Sequence, residues 1–390
     1  MRGASRVRAM APTYPPGTRL PAAVFANGVV RPKITAYSMG MHSAVPLDGP
    51  TPASRRSTLL AGALLLVVVA AVLTWSKWWP YAHKIGDLVV TRDPGDAIFP
   101  VEGSPVARAW GFTLGYAASV WKAMLAALVI AAAADALLPR LWPAVRRRAA
   151  RAGRRPWRDA TLGSLSGSAT MMCTCCAVPV TATLRRQGAS EAATLAYWLA
   201  NPMLNPAVIV FCALLLPWEW AAVRLVAGVG LIAAVTALVA RRAAAPAPLA
   251  APDEPWSPAW AVRRFGRTLS RLALVVVPEY VVIVFAVGLA QTWLVPSAGW
   301  GDWAVLAVVA AALAGTVLVI PTGGELPIVA GLLAAGASPA FAGALFLTLP
   351  ALSAASLVML RRVYPVRTLA QVTGLVIVSG LAGAGALALL

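Results

Sequence analysis

PVTATLRRQGASEAATLAYWLANPMLNPAVIV, residues 179–210, lies over PIVAGLLAAGASPAFAGALFLTLPALSAASLV, residues 327–358, at a constant offset of 148 and without a gap. Of the 32 positions 13 are identical, among them Pro179/Pro327, Leu184/Leu332, Pro202/Pro350 and the triplet Gly188-Ala189-Ser190 against Gly336-Ala337-Ser338. An alanine-rich composition supplies chance alanine matches, but not aligned prolines or an aligned triplet. The chain is internally duplicated, and its fold follows from what the duplicated unit is.

That unit is membranous. The 390 residues are 59% hydrophobic and 12% charged, with mean hydropathy +0.75. Several apolar runs reach the roughly 20 residues that cross a bilayer. The spacing predicts seven spans: Leu59 to Trp75, Trp110 to Leu138, Ala189 to Leu216, Ala221 to Ala240, Leu272 to Val295, Ala337 to Leu360, and Leu369 to Leu390. Two further segments, about 160–184 and 303–335, are interrupted by Cys-rich and Gly/Pro-rich breaks. The piece after the second break, Ile328 to Ala335, is too short to cross alone. A hairpin that enters and leaves by one face accommodates such a segment, provided its irregular tip is buried in protein or lines a wet cavity.

The charges favour hairpins over full crossings. A net charge of +19 would suggest nucleic acid in a soluble protein, but here the arginines read first as topology markers. With both broken segments as hairpins and the N-terminus inside, 27 of the 33 Lys and Arg residues face the cytoplasm. Only Lys77, Lys84, Arg92 and Arg108 fall outside, while Lys122 and Arg224 lie within spans. Full crossings would instead expose the basic cluster of 241–271 outside, against the positive-inside bias.

The expected architecture is an all-α polytopic protein with an inverted internal repeat (span, hairpin, span, span), two re-entrant segments and an N-terminal signal-anchor helix. Each unit has three crossings, an odd number, so the second is upside down relative to the first. Residues 1–57, rich in Pro, Gly, Ser and Arg without helical periodicity, read as a disordered basic cytoplasmic tail. Residues 58–109 are expected to form the anchor and an extracytoplasmic loop, 110–240 the first membrane repeat, 241–271 a cytoplasmic linker and 272–390 the second repeat. The anchor's length and flanking Trp78, Trp79 and Tyr81 speak against a cleaved signal peptide.

Inverted repeats whose broken helices meet near the bilayer midplane are the design of many secondary transporters. A channel or a membrane scaffold built from the same halves is the alternative. No lysine precedes Ser or Thr, so no P-loop for ATP exists, and two distant histidines assemble no nucleophile with its base. Enzyme activity, a cofactor and nucleic-acid binding are not expected. A small molecule or ion, the lipid bilayer and a coupling proton are.

The offset sets Cys173-Thr174-Cys175-Cys176-Ala177-Val178 against Pro321-Thr322-Gly323-Gly324-Glu325-Leu326. One tip offers thiols, soft ligands for Cu(I), Zn(II) or trivalent arsenic, and the other a carboxylate. Cys173, Cys175 and Cys176 are candidates for substrate capture, with apolar packing as the plainer role. A structural zinc site would need a second Cys/His pair, which the sequence lacks. Glu325, costly to ionise at membrane depth, is the candidate coupling residue, with Glu279 and Asp135 secondary. Asn201 and Asn205, beside the chain-breaking prolines of ANPMLNP, add donors and acceptors for substrate or the opposite hairpin.

These residues carry a likeness to a known family. Cys173 to Pro179, the Gly188-Ala189-Ser190 turn, Asn201-Pro202 with Asn205-Pro206, and Gly324-Glu325-Leu326-Pro327 resemble motifs of the predicted-permease family that includes the ArsP-type organoarsenical efflux permeases. The likeness spans about Trp110 to the C-terminus. It departs from the family pattern at Cys176, where Gly is usual. The resemblance implies export of trivalent methylated or aromatic arsenicals across the cytoplasmic (inner) membrane, with Pro179 and Pro327 among the site positions. Copper or zinc permeation, and a non-transporting partner role, are the competing expectations.

Overall fold

The computed structural model describes residues 55–93, 103–152, 155–241, 257–294 and 304–390. Most of the predicted tail (1–54), the middle of the predicted linker (242–256) and part of the predicted outer loop (94–102) lie outside the described residues. Helices account for the regular structure, and no strand occurs among the described residues. They are α1 (Arg55–Leu73), a π-helical turn (Thr74–Trp78), α2 (Trp79–Thr91), α3 (Pro105–Ala152), α4 (Pro156–Thr170), α5 (Thr174–Arg186), α6 (Glu191–Met203) and α7 (Pro206–Leu215). Then follow α8 (Trp218–Ala240), α9 (Pro258–Leu294), α10 (Ala304–Val317), α11 (Glu325–Ala334), α12 (Pro339–Ala351), α13 (Ala354–Leu360) and α14 (Val366–Leu389).

Seven stretches among the described residues are long and apolar enough to cross a membrane: α1–α2, α3, α6–α7, α8, α9, α12–α13 and α14. They coincide with the seven predicted spans, and the chain is a multi-pass all-α membrane protein. Two elements run further than the sequence reading allowed. The first helix continues past Trp75 to Thr91, where a loop was expected, and α9 begins at Pro258, inside the predicted linker. Pro80 makes 76–91 look like a chain break. A proline ring crowds the carbonyl four residues earlier, here Ser76, and the π-helical turn spans that carbonyl.

The duplication reappears element by element. Adding 148 to the bounds of α6 gives those of α12 residue for residue. Gly188 and Gly336 take φ of +87° and +83°, the left-handed region where a Cβ is penalised. Two residues on, Ser190 and Ser338 each accept the backbone N–H of the third helical residue, at 3.2 Å, as N-caps of α6 and α12. The aligned Gly-Ala-Ser triplet is a turn and cap.

Helix directions establish both inversion and hairpins. In α3 and α9, the first spans of the two units, Ala109 adjoins Gly288 whereas Asp135 bonds Arg264, so they run antiparallel. Thr194, early in α6, accepts from Tyr364 Oη, beyond the end of α13, at 2.6 Å, giving the same relation for the next spans. Within the first unit Gly163 meets Ala193, Gly167 meets Tyr197, and Thr170 bonds Asn201, so α4 runs parallel to α6. By contrast, Trp198 bonds the Thr174 carbonyl and Arg185 pairs with Glu191, so α5 returns antiparallel. The α4–α5 segment is therefore a hairpin with its tip level with the middle of the α6–α7 span, where Leu204 and Asn205 interrupt the helix.

The packing repeats with the sequence. α4 lies on α6 as α10 lies on α12, and α5 meets α13 as α11 meets α7. No side chain at Gly163 or Gly167 would avoid the α6 backbone, which is why glycine stands there.

Candidate functional site

Each hairpin tip is made by a local break. Met171, at φ +50°, ends α4 in the left-handed conformation, and Cys173 in extended backbone opens α5. In the second hairpin Pro321, Thr322 and Gly323, at φ +83°, turn the chain into Glu325 at the first position of α11. Side chains from the spans fix these turns. Asn201 Oδ1 accepts from Thr170 Oγ1 at 2.6 Å and from Met172 N at 2.9 Å, holding the end of α4. Asn205 Oδ1 caps α7 through Ala207 N and Val208 N, and its equivalent, Ser353, caps α13. Thr174 Oγ1 and Ser353 Oγ share a bond of 3.3 Å that ties the first tip to the second unit.

The three cysteines of the first tip are free and buried, with their sulfurs all within 4.8 Å of one another. Cys173 Sγ and Cys175 Sγ are 3.2 Å apart. Such a cluster suits a soft ion or metalloid, for which thiolates are the preferred ligands. Cys212, buried in α7, stands apart from the cluster.

Glu325 of the second tip is not alone. Its Oε1 lies 2.7 Å from Arg224 Nη2 of α8, with each side chain only 1% exposed. The contact is an ion pair by distance without the angular alignment of a hydrogen bond. The same Arg224 nitrogen donates to the Pro202 carbonyl at 2.9 Å, and the guanidinium stacks over Phe346, 5.2 Å from the ring centroid. A charge at this depth is tolerable only when so compensated.

Two elements bridge the tips. Tyr116 of α3 donates to the Ile320 carbonyl at 3.0 Å while its Oη contacts Cys175 Sγ at 3.4 Å. Lys77, in the π-helical turn, reaches Thr322 Oγ1 at 3.5 Å and bonds Tyr81 Oη at 3.0 Å, while Trp78 beside it donates Nε1 to the Ala169 carbonyl near the end of α4 at 2.8 Å. Between the tips lies a narrow cleft lined by Cys173, Thr174, Arg224, Thr322 and Glu325, with Pro202, Pro321 and Pro350 in its walls. Its free volume admits about one water molecule.

The geometry sorts the candidates read from sequence. Cys173 and Glu325 both line the cleft, and Cys175 and Cys176 adjoin it through their sulfurs' closeness to that of Cys173. Asn201 and Asn205 stand behind it as supports and do not line the cleft. Pro179 lies inside α5, where its missing N–H leaves the Cys175 carbonyl without that helical bond, and Pro327 sits in the first turn of α11. The prolines that line the cleft are others. Asp135 is held elsewhere, accepting from Gln187, Thr268 and Arg264 at 2.8, 2.8 and 2.9 Å, and so joins α3 to α9 and the end of α5. Glu279 pairs with Arg362 at 3.0 Å.

Arg224, Lys77 and Tyr116 were missed. For Arg224 the signal was present, since an arginine inside an apolar span demands a partner, and Glu325 was the unpaired carboxylate. Lys77 stands two residues past Trp75, where the apolar run ends, and so looks in sequence like part of an outer loop. Nothing in the sequence singles out Tyr116.

A family model described as a predicted permease matches residues 153–387. The chain is also similar to the UPF0718 protein YraQ of Escherichia coli (strain K12), with 38% identity over 333 residues, covering 84% of this chain and 94% of that relative. No solved structure matches it.

Proposed function

The chain belongs to the predicted permease family, and from that premise we propose that it is a secondary-active permease exporting a small thiophilic solute through the cleft between its two hairpin tips. The family supports a membrane transporter. One observation carries the finer reading: the thiol tip of one inverted repeat and the carboxylate tip of the other meet at a single buried cleft. Hairpins meeting at a repeat interface are the form in which alternating access is built.

In this reading Cys173, Cys175 and Cys176 capture the solute. Asn201 and Asn205 keep the tips in place. Glu325 couples the cycle by exchanging Arg224 for a proton. Residues 110–240 and 272–390 are the two halves that rock, the N-terminus is cytoplasmic, and the membrane is the inner one. The likeness to ArsP-type permeases points to trivalent organoarsenicals as the solute. The three clustered sulfurs favour a second reading, permeation of copper or zinc.

The test is uptake of radiolabelled methylarsenite by everted membrane vesicles with and without a proton gradient. Wild type is expected to accumulate label in a gradient-dependent way, and both Cys173→Ser/Cys175→Ser/Cys176→Ser and Glu325→Gln to lose it. Well-expressed wild type that accumulates no arsenical would remove that solute, and the assay would pass to copper and zinc.

A further inference from the structure

Lys77 is a buried cation without a carboxylate. It is 6% exposed, and no Asp or Glu pairs with it among the described residues. Its ammonium lies over the Tyr81 ring at 5.0 Å, donates to that residue's hydroxyl and reaches Thr322 at the cleft wall. Thr322 lines the same cleft as Cys173 of the thiol cluster, so the ammonium stands at the wall of the thiol site. Arg224 and Glu325 cancel one another at 2.7 Å, which leaves the Lys77 ammonium without a carboxylate partner among the described residues. A buried charge of this kind is costly until something opposite in sign arrives.

Resting on the reading of the cleft as a thiophile site, we propose that Lys77 determines its specificity, acting as the fixed counter-charge for a soft metal ion bound as a monoanionic thiolate complex. A divalent ion taken up by all three thiols obeys M²⁺ + 3 RSH → M(SR)₃⁻ + 3 H⁺. Copper(I) on two of them obeys Cu⁺ + 2 RSH → Cu(SR)₂⁻ + 2 H⁺. No electron is transferred in either case, and the protons pass to water. Each complex carries one negative charge, which the Lys77 ammonium neutralises. A trivalent organoarsenical differs: R–As(OH)₂ + 2 RSH → R–As(SR)₂ + 2 H₂O gives a neutral adduct and leaves Lys77 uncompensated.

The N-terminal helix is thereby part of the binding site and not only a membrane anchor. The π-helical turn at Thr74–Trp78 is the local device that carries Lys77, and extra-residue turns of this kind recur at functional sites.

The experiment measures binding to purified full-length protein in detergent. Copper(I) and zinc(II) affinities are read by competition with chromophoric chelators, and phenylarsine oxide by quenching of tryptophan fluorescence. Wild type is compared with Lys77→Met and Lys77→Arg. In Lys77→Met the affinity for the metals is expected to fall about tenfold or more while that for phenylarsine oxide changes less than about threefold, and Lys77→Arg is expected to restore metal binding. Equal losses for metals and arsenical would assign Lys77 a structural role, and unchanged metal affinity would remove its role altogether. Either result overturns the inference while leaving the thiophile site standing. Wild type that binds none of the three probes would overturn that site itself.

Discussion

Arg224 Nη2 and Glu325 Oε1, 2.7 Å apart and sealed from solvent, join the third span of the first repeat to the hairpin tip of the second. The duplication does not mirror this contact. At the offset of 148, the position equivalent to Arg224 is Val372 and the one equivalent to Glu325 is Ala177. The latch is one-sided, so the two hairpins of a nearly symmetric scaffold are held by different forces.

Breaking the pair from one side strands a buried charge. Arg224→Met or Glu325→Gln alone is expected to destabilise the protein by about 3–5 kcal/mol, and the double variant Arg224→Met/Glu325→Met by much less. Denaturant unfolding in detergent, arranged as a double-mutant cycle, measures this. Additive losses would show that the two charges do not depend on one another.

The parallel packing of α4 on α6 leaves no room for a methyl group at Gly167, whose added Cβ would strike the Tyr197 carbonyl. Gly167→Ala is expected to cost about 1–3 kcal/mol, as overpacked interiors do. Gly374→Ala, where a Cβ meets nothing within 4 Å, serves as the neutral comparison. Thermal unfolding of the two variants side by side distinguishes them.

Inversion predicts opposite exposure for the two aligned cap serines. In a background with Cys173, Cys175, Cys176 and Cys212 replaced by serine, Ser190→Cys is expected to react with an impermeant maleimide only from the cytoplasmic side. Ser338→Cys is expected to react only from the outer side. Labelling of both from one side would contradict the inverted arrangement.

Asp135 and Glu325 are both carboxylates borne by the helical membrane domain, yet they stand in different structures. Asp135 is saturated by Gln187, Thr268 and Arg264, which suits a strut between α3 and α9. Asp135→Asn is expected to lower stability by about 1–3 kcal/mol, as loss of a charge-assisted bond does, while gradient-dependent transport survives. Glu325→Gln is expected to do the reverse to coupling. Loss of gradient dependence in Asp135→Asn would move the coupling role to α3.

Asn201→Ala removes the acceptor that Thr170 Oγ1 and Met172 N share. The buried Met172 N–H is left unpaired, at about 1–3 kcal/mol, while Thr170 Oγ1 keeps the Gly167 carbonyl and Tyr197 Oη. The first tip should loosen, with Cys173 and Cys175 gaining reactivity toward a small permeant maleimide. Unchanged thiol reactivity would mean that Asn201 does not position the tip.

The sequence by itself determined the spans, the hairpins and their duplication, because each is a local matter. Apolar length decides what crosses a bilayer. Proline, glycine and left-handed turns decide where a helix stops, and a constant offset of 148 reveals the repeat without any distance. The odd number of spans per unit fixed the inversion, and the clustering of Cys173, Cys175 and Cys176 was visible within four positions.

Only the tertiary structure decided which charges meet. Lys77 and Thr322 are 245 positions apart, and Arg224 reaches Glu325 across the repeat boundary. No periodicity encodes such pairs, since their residues belong to different helices whose relative placement comes from packing. Asp135 and Glu279, secondary to Glu325 as sequence candidates, are set apart from it by their partners Arg264 and Arg362. The helix extension to Thr91 was hidden for a related reason. The apolar run ends at Trp75, yet the helix goes on through a π-helical turn that accommodates Pro80, and α2 then packs against α7. Buried ion pairs are set by three-dimensional proximity in a low-dielectric interior, where a partner must be found wherever the fold supplies one.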